Sequence, residues 1–162
     1  MKKIILISLT LLFFILTSSY MIVDNQNYYI NYAKNKLTEY NSPKNQYVII
    51  IDYTKSIFVE RLFVVDINNN NIILSSKVSH AFNSGVIYPS KYSNSVGSNT
   101  SSKGVFLTST TYFSKKWGYA MNIKGLDKGI NDNAYKRRIV FHSNKEIIDL
   151  TKGGTLVCVI SD

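Results

Sequence analysis

Seven short runs of β-branched and aromatic residues, separated by polar turns, constrain this chain more than any other feature of its sequence. Branched and aromatic side chains pack well on a pleated, half-buried surface, so each run predicts a strand. The runs occupy residues 46–52, 57–67, 72–80, 104–111, 119–123, 138–142 and 155–161. Four consecutive asparagines at 68–71 predict a tight turn, which makes residues 57–80 a β-hairpin.

One segment predicts a long helix, at residues 25–42, where apolar side chains recur three and four positions apart before Pro43. One or two helical turns are predicted at 146–152, ahead of a Gly-Gly break. Together these elements predict a mainly β, β-rich α+β fold, an antiparallel sheet or sandwich with one N-terminal helix. A length of 162 residues fits one domain with one core.

The N-terminus has the pattern of a secretory signal peptide. Lys2 and Lys3 precede an apolar run at 4–16, and small polar residues follow at 17–19. We expect residues 1–19 to be a cleaved signal and residues 20–162 to form a single domain of an exported protein, in the periplasm or cell envelope. An uncleaved anchor is the alternative, because a run extended through residue 23 reaches about the 20 residues that a membrane helix needs.

The charge of the chain narrows the classes of partner. Its net charge of +9 suits nucleic acid, anionic lipid or an anionic wall polymer. There is no dense Lys/Arg run and no nucleic-acid motif, so we do not expect a nucleic-acid partner. A membrane is expected only through an uncleaved N-terminus, and the protein is expected to be a monomer. A single cysteine cannot form an internal disulfide.

Two histidines stand at predicted strand ends beside loops. His142 ends the strand at 138–142, and His80 ends the strand at 72–80. Either one can present a ring nitrogen to a site from a fixed backbone, and either can be an ordinary packed or surface histidine. Neither has acidic residues at the close spacing of a zinc motif, so no metal site is predicted.

The single cysteine, Cys158, lies within the apolar run T-L-V-C-V-I. Between Val157 and Val159 it is expected to be a buried strand residue that behaves as a small hydrophobe. The alternative is a nucleophile, which requires a partly open, electropositive environment that its sequence neighbours do not supply.

Polar residues at 131–133 and two arginines are further candidates. Asn131, Asp132 and Asn133 can form a site loop or a simple turn. Arg137 and Arg138 can bind a carboxylate, or flank the strand in solvent.

Several stretches together resemble the murein L,D-transpeptidase catalytic domain family, in its branch of short exported members. The most specific are G-L-D-K-G-I-N-D-N-A at 125–134 and R-I-V-F-H at 138–142. They are preceded by V-S-H-A-F-N-S-G at 78–85 and S-S-K-G-V-F-L-T-S-T-T-Y at 101–112. The resemblance runs from about residue 27 to residue 142.

The resemblance implies a β-rich cysteine transpeptidase that needs no cofactor and acts on peptidoglycan stem peptides. In this family a cysteine thiolate attacks a stem-peptide amide carbonyl, and a histidine accepts the thiol proton. The R-I-V-F-H motif places that general base at His142. A substrate-binding role is expected at His80, Asn131, Asp132, Asn133 and Arg138. We expect the two histidines to face one groove.

The chain departs from the family after its histidine, where S-x-G-C-P is expected. In one alignment Cys158 is a degraded nucleophile, between valines instead of glycine and proline. In the other, residues 146–160 match the closing helix, Gly-Gly turn and final strand, so the nucleophile segment is absent and the domain is shortened near its C-terminus. We favour the second, because it accounts for all of these elements together.

Three functions follow from these alignments. The chain is a catalytically impaired L,D-transpeptidase-like wall protein, an active cysteine enzyme that uses Cys158 with His142, or a non-catalytic peptidoglycan-binding envelope module. The favoured alignment predicts that Cys158 is too far from His142 for proton transfer.

Overall fold

The computed structural model describes residues 2–42, 46–142 and 144–161. In chain order the elements are α1 (Lys2–Glu39), β1 (Tyr47–Asp52), β2 (Leu62–Asp66), β3 (Asn71–Ser76), a 3₁₀ turn (Phe82–Ser84), β4 (Gly104–Ser114), β5 (Gly118–Gly125), β6 (Val140–His142), α2 (Lys145–Thr151) and β7 (Leu156–Ile160). The seven strands form one sheet in the order β3-β2-β1-β7-β4-β5-β6. The β-rich α+β prediction is confirmed.

The sheet is mixed, whereas the sequence predicted antiparallel pairing. All neighbours are antiparallel except β1 and β7, which run parallel. The chain leaves the sheet edge at β6, and α2 returns it to the middle, where β7 enters between β1 and β4. Residues 156–159 of β7 are buried on both faces of the sheet, which suits a central position.

Successive side chains alternate between the two faces of the sheet, and each face has its own apolar cluster. On one face, which we call the α1 face, Tyr29 and Ala33 of α1 pack against Val48, Ile50 and Cys158. On the opposite face, the α2 face, Ile147 of α2 packs with strand residues. Those strand residues are Ile49, Ile51, Leu62, Val64, Phe106, Ile123, Val157 and Val159. A central strand therefore contributes to both clusters.

Helix α1 begins at Lys2, well before the predicted start at residue 25. Residues 1–42 contain neither glycine nor proline, so nothing in this stretch terminates a helix. Side chains 11–16 on this helix are 53–70% exposed. Within the described ranges, no helix has both the length and the apolar character needed to cross a membrane.

Strands β2 and β3 are shorter than predicted. Residues 57–61 lie outside β2, because the chain turns after Asp52, whose carboxylate accepts hydrogen bonds from the backbone N–H and the hydroxyl of Thr54. Strand β3 ends at Ser76. The remaining strands, β1, β4, β5, β6 and β7, lie where the sequence predicts them, within a few residues at each end.

Candidate functional site

His142 ends β6 on an exposed part of the α1 face. It pairs with Ala120 of β5, which in turn pairs with Tyr112 of β4, so these three side chains share one face. The imidazole is exposed and stacks on the indole of Trp117, with ring centroids 4.6 Å apart and an interplanar angle of 26°. Trp117 comes from the β4–β5 turn and was not among the predicted site residues.

A groove of about 670 Å³ lies on this side of β4 and β5. It is lined by Tyr112, Asn122, Tyr135, Lys136 and Arg138, two of which are cations and none of which is acidic. Asn122 lies two residues along β5 from Ala120, which pairs with His142. The side chains of Asn122, Ala120 and His142 are therefore on the same face of the sheet. The groove therefore offers aromatic walls and a guanidinium that can bind a carboxylate in bidentate fashion.

Arg138, which lines this groove, has an unusual backbone conformation. Its φ of 57° lies in the left-handed region, which non-glycine residues rarely adopt. The N–H of Arg138 donates to the carbonyl of Tyr135, and the N–H of Ile139 donates to the carbonyl of Ala134. These bonds close the turn that leads into β6 and expose the Arg138 side chain.

Asn131 is a buried structural residue. Its side chain is fully buried; its amide nitrogen donates to the carbonyls of Lys103 and Val105, and its amide oxygen accepts from the N–H of Asp127. It thus joins the 125–138 loop to the start of β4. It lines neither the groove nor the pocket described below.

Asp132 and Asn133 tie two loops together. The Asp132 carboxylate accepts from the Asn94 amide at 2.6 Å, a bond that lowers the pKa of Asp132. Asn133 donates its backbone N–H to the Asn94 side chain and its own amide to the Asn94 carbonyl. Both residues therefore position the 81–103 loop, and their predicted contact with substrate stays a prediction.

Arg137, which the sequence left between two roles, organises the same loop. It donates to the carbonyls of Ser93 and Thr100 and to the hydroxyls of Ser98 and Ser102. Burial lowers the pKa of its guanidinium. Arg137 therefore holds the chain at residues 93–102. A carboxylate ligand could bind Arg137 only by replacing these carbonyl and hydroxyl acceptors.

His80 lies on the α2 face, beside a pocket of about 260 Å³. The pocket has an apolar floor and a hydroxyl-rich rim. Its lining residues are Ile51, Tyr53, Ser79, His80, Ala81, Thr100, Ser101, Ser102, Phe106, Ile123, Ile139, Phe141, Val157 and Val159. Phe141 points here, and its neighbour His142 points to the opposite face. The predicted shared groove for the two histidines is therefore wrong.

Both ring nitrogens of His80 are engaged. Nδ1 lies 2.9 Å from Nη2 of Arg61, and because an arginine can only donate, Nδ1 is the acceptor. Nε2 then carries the proton and donates to the carbonyl of Gly85 at 2.9 Å. His80 is thus held at both ring nitrogens and braces the loop after β3.

Arg61 is a buried residue that the sequence analysis did not identify. Its side chain is 0% exposed and donates to the carbonyls of Val78 and Lys55 as well as to His80. The guanidinium also lies 4.9 Å from the centre of the Tyr53 ring. Burial lowers its pKa. The only sequence signal was an arginine in the otherwise apolar run R-L-F-V-V.

Cys158 is buried in the middle of β7, on the α1 face. It pairs with Ile50 of β1 and Val105 of β4 and is 0% exposed. Burial raises the pKa of its thiol to about 12. Strands β4 and β5 separate β7 from β6, so three strand spacings, about 14 Å, separate Cys158 from His142 across the sheet, and the row of His142 is also offset along β4 from that of Cys158.

The connection from β6 to α2 is very short. His142 is the last residue of β6, and Asn144 already caps α2, where its side chain accepts from the N–H of Ile147 at 3.0 Å. Residue 143 lies outside the described residues. Two positions therefore separate His142 from α2, and they cannot hold the five-residue S-x-G-C-P segment that the resemblance leads us to expect after the histidine.

Comparison with known proteins identifies the family. A family model described as the L,D-transpeptidase catalytic domain matches residues 21–153, most of the chain. No curated protein and no solved structure matches. The chain therefore belongs to the L,D-transpeptidase catalytic domain family, as the sequence motifs indicated, and its function is L,D-transpeptidase-like, in the cell wall, with peptidoglycan as the substrate class.

Proposed function

We propose that this family member binds peptidoglycan at the cell wall but does not itself catalyse transpeptidation. The observation that carries the proposal is the direct passage from β6 into α2. The cysteine segment expected between them is missing, although His142 is retained. Cys158 lies beyond the residues that match the family, which supports its assignment as a core residue of β7.

The chemistry of Cys158 opposes the alternative of an active cysteine enzyme. Burial raises the pKa of the Cys158 thiol to about 12, so burial opposes formation of the thiolate that a nucleophile needs. A general base must approach within about 3 Å of the proton that it removes, directly or through one water. The spacing of about 14 Å exceeds this reach. Using Cys158 would require β7 to leave the centre of the sheet.

The groove beside His142 supports a binding role. Stem peptides carry carboxylates, and Arg138 and Lys136 supply two cations with no acidic residue lining the groove. Tyr112 and Tyr135 add apolar surface that can cover the peptide backbone. In this proposal the protein is exported, acts as a monomer and binds stem peptides through the groove.

Turnover and thiol reactivity test the catalytic half of the proposal. We expect no transpeptidase or L,D-carboxypeptidase product from purified muropeptides, the same result for Cys158→Ser, and maleimide labelling only after unfolding in urea. Product formation that disappears in Cys158→Ser would overturn the proposal and make the chain an enzyme.

Sedimentation with purified peptidoglycan tests the binding half. Replacing Lys136 and Arg138 together with glutamine should weaken binding by at least tenfold, because it removes both cations of the groove. The matched control replaces exposed Lys77 and Lys91 with glutamine, which lowers the net charge equally and should leave most of the binding. An equal loss of binding in both variants would show that the interaction is non-specific charge attraction and would contradict binding at the groove.

A further inference from the structure

The turn between β4 and β5 forms a projecting tip, residues 113–119. Strand β4 pairs with β7 only over residues 104–107, so the rest of β4 continues beyond that neighbour. On the other side, β5 pairs with β6 only over residues 120–122. The tip is held by its own hairpin pairing and by the stacking of Trp117 on His142 at the end of β6, and its residues extend past the paired parts of both adjacent strands.

The tip combines exposed aromatic and cationic side chains. Phe113 is 79% exposed and Trp117 46% exposed, and Lys115 and Lys116 are exposed beside them. The Lys116 ammonium lies 4.5 Å from the centre of the Trp117 ring. An exposed phenylalanine of this size is costly in water unless another apolar phase covers it.

The charge around the tip is one-sided. Residues 67–126 contain no Asp or Glu and six lysines. Asp149 of α2 lies beside Tyr119 at the base of the tip, where it forms ion pairs with Lys145 at 2.5 Å and Lys152 at 3.7 Å. The cationic field of Lys115 and Lys116 is therefore directed outward, toward an anionic partner.

We propose that the tip inserts into a lipid surface with anionic head groups. Phenylalanine and tryptophan would enter the boundary of the acyl chains, while the two lysines would contact the head groups. A lipid surface fits better than a soluble polyanion, because the tip presents exposed apolar rings beside its two cations, and a lipid surface has both an apolar phase and anionic head groups. This proposal is independent of the proposed function.

The single tryptophan of the chain, Trp117, makes a local test possible. The full chain is mixed with phosphatidylglycerol–phosphatidylcholine vesicles that contain brominated lipid, and with vesicles of phosphatidylcholine alone. We expect a blue shift and quenching of Trp117 only with the anionic vesicles. Because quenching reports the depth of residue 117 itself, lipid binding by the apolar N-terminus does not produce the signal.

Two variants establish the cause. Replacing Lys115 and Lys116 with glutamine should weaken tip insertion roughly 30-fold in the quenching titration, and Phe113→Ser should also weaken it. The Lys77/Lys91 glutamine pair is the matched control and should change it little. Absent quenching, or equal quenching with neutral vesicles, overturns the proposal. A Trp117 response to purified peptidoglycan without lipid quenching would assign the tip to a wall polymer instead.

Discussion

At the scale of single residues, several candidate site residues use their polar groups within the protein. Asn131 and Arg137 direct their donors to backbone carbonyls and hydroxyls of neighbouring loops. His80 uses both ring nitrogens within the protein. These residues stabilise the loops around the candidate site, and the substrate contact expected of Asn131 and His80 stays a prediction. His142 and Arg138 differ, because both are exposed: Arg138 lines the groove, and His142 ends β6 on the same face of the sheet.

Arg61 provides a prediction at this scale. Arg61→Met should lower the free energy of unfolding by about 3 kcal/mol, because the Val78 and Lys55 carbonyls and Nδ1 of His80 would lose their donor in a buried site. Urea titration followed by circular dichroism measures the change. Arg138→Met, at an exposed arginine, is the control and should change stability by less than about 0.5 kcal/mol. Similar values for the two variants would contradict this account.

The identities of the buried partners could not be predicted from sequence. A run such as R-L-F-V-V indicates a strand, but nothing local indicates that its arginine will meet carbonyls of residues 55 and 78. Cys158 was predictable, because an apolar strand environment is visible in its immediate neighbours. The side of the sheet that His142 would face was not, since it depends on a register set by β5.

At the scale of elements, the periodicity of the sequence located nearly all the strands, but it could not predict their order in the sheet. Alternation and turn residues are local signals, whereas the insertion of β7 between β1 and β4 depends on α2 crossing the sheet. The early ends of β2 and β3 have a similar origin. Residues 57–61 are apolar enough for a strand, yet the backbone of Ile57 pairs with the carbonyl of Ile87 in the loop.

The attachment of α1 to the sheet gives a prediction at this scale. The Tyr29 hydroxyl donates to Asp52 at 2.6 Å within the core, and the Tyr40 hydroxyl donates to Asp127 at 2.5 Å. Tyr29→Phe should cost about 2 kcal/mol of stability, since it leaves a buried carboxylate oxygen without its donor. Tyr28→Phe is the control, because the Tyr28 side chain is exposed. A loss no greater than that of the control would show that the bond does not hold α1 in place.

The same bonds give a pH dependence. Burial and the hydrogen bonds to Asp52 and Asp127 raise the pKa of Tyr29 and Tyr40 above their ordinary value. A raised folded pKa contributes stability below the unfolded pKa of about 10, and that stability is lost as pH rises further. Above pH 10, the free energy of unfolding should therefore fall less steeply with pH in Tyr29→Phe than in the natural sequence.

At the scale of the whole molecule, an L,D-transpeptidase-like domain reaches its substrate only outside the cytoplasm, so export should accompany the family assignment. We propose that Lys2 and Lys3, with the apolar run at 4–16, form the export signal. Mass spectrometry of the protein from its native envelope should give a new N-terminus near Tyr20. Leu12→Lys should leave the chain full-length in the cytosol, because it places a charge in the apolar run, whereas Thr10→Ser should be processed normally. A full-length natural chain in the membrane fraction would favour the uncleaved anchor, and a full-length natural chain in the cytosol would remove the basis for a role in the wall.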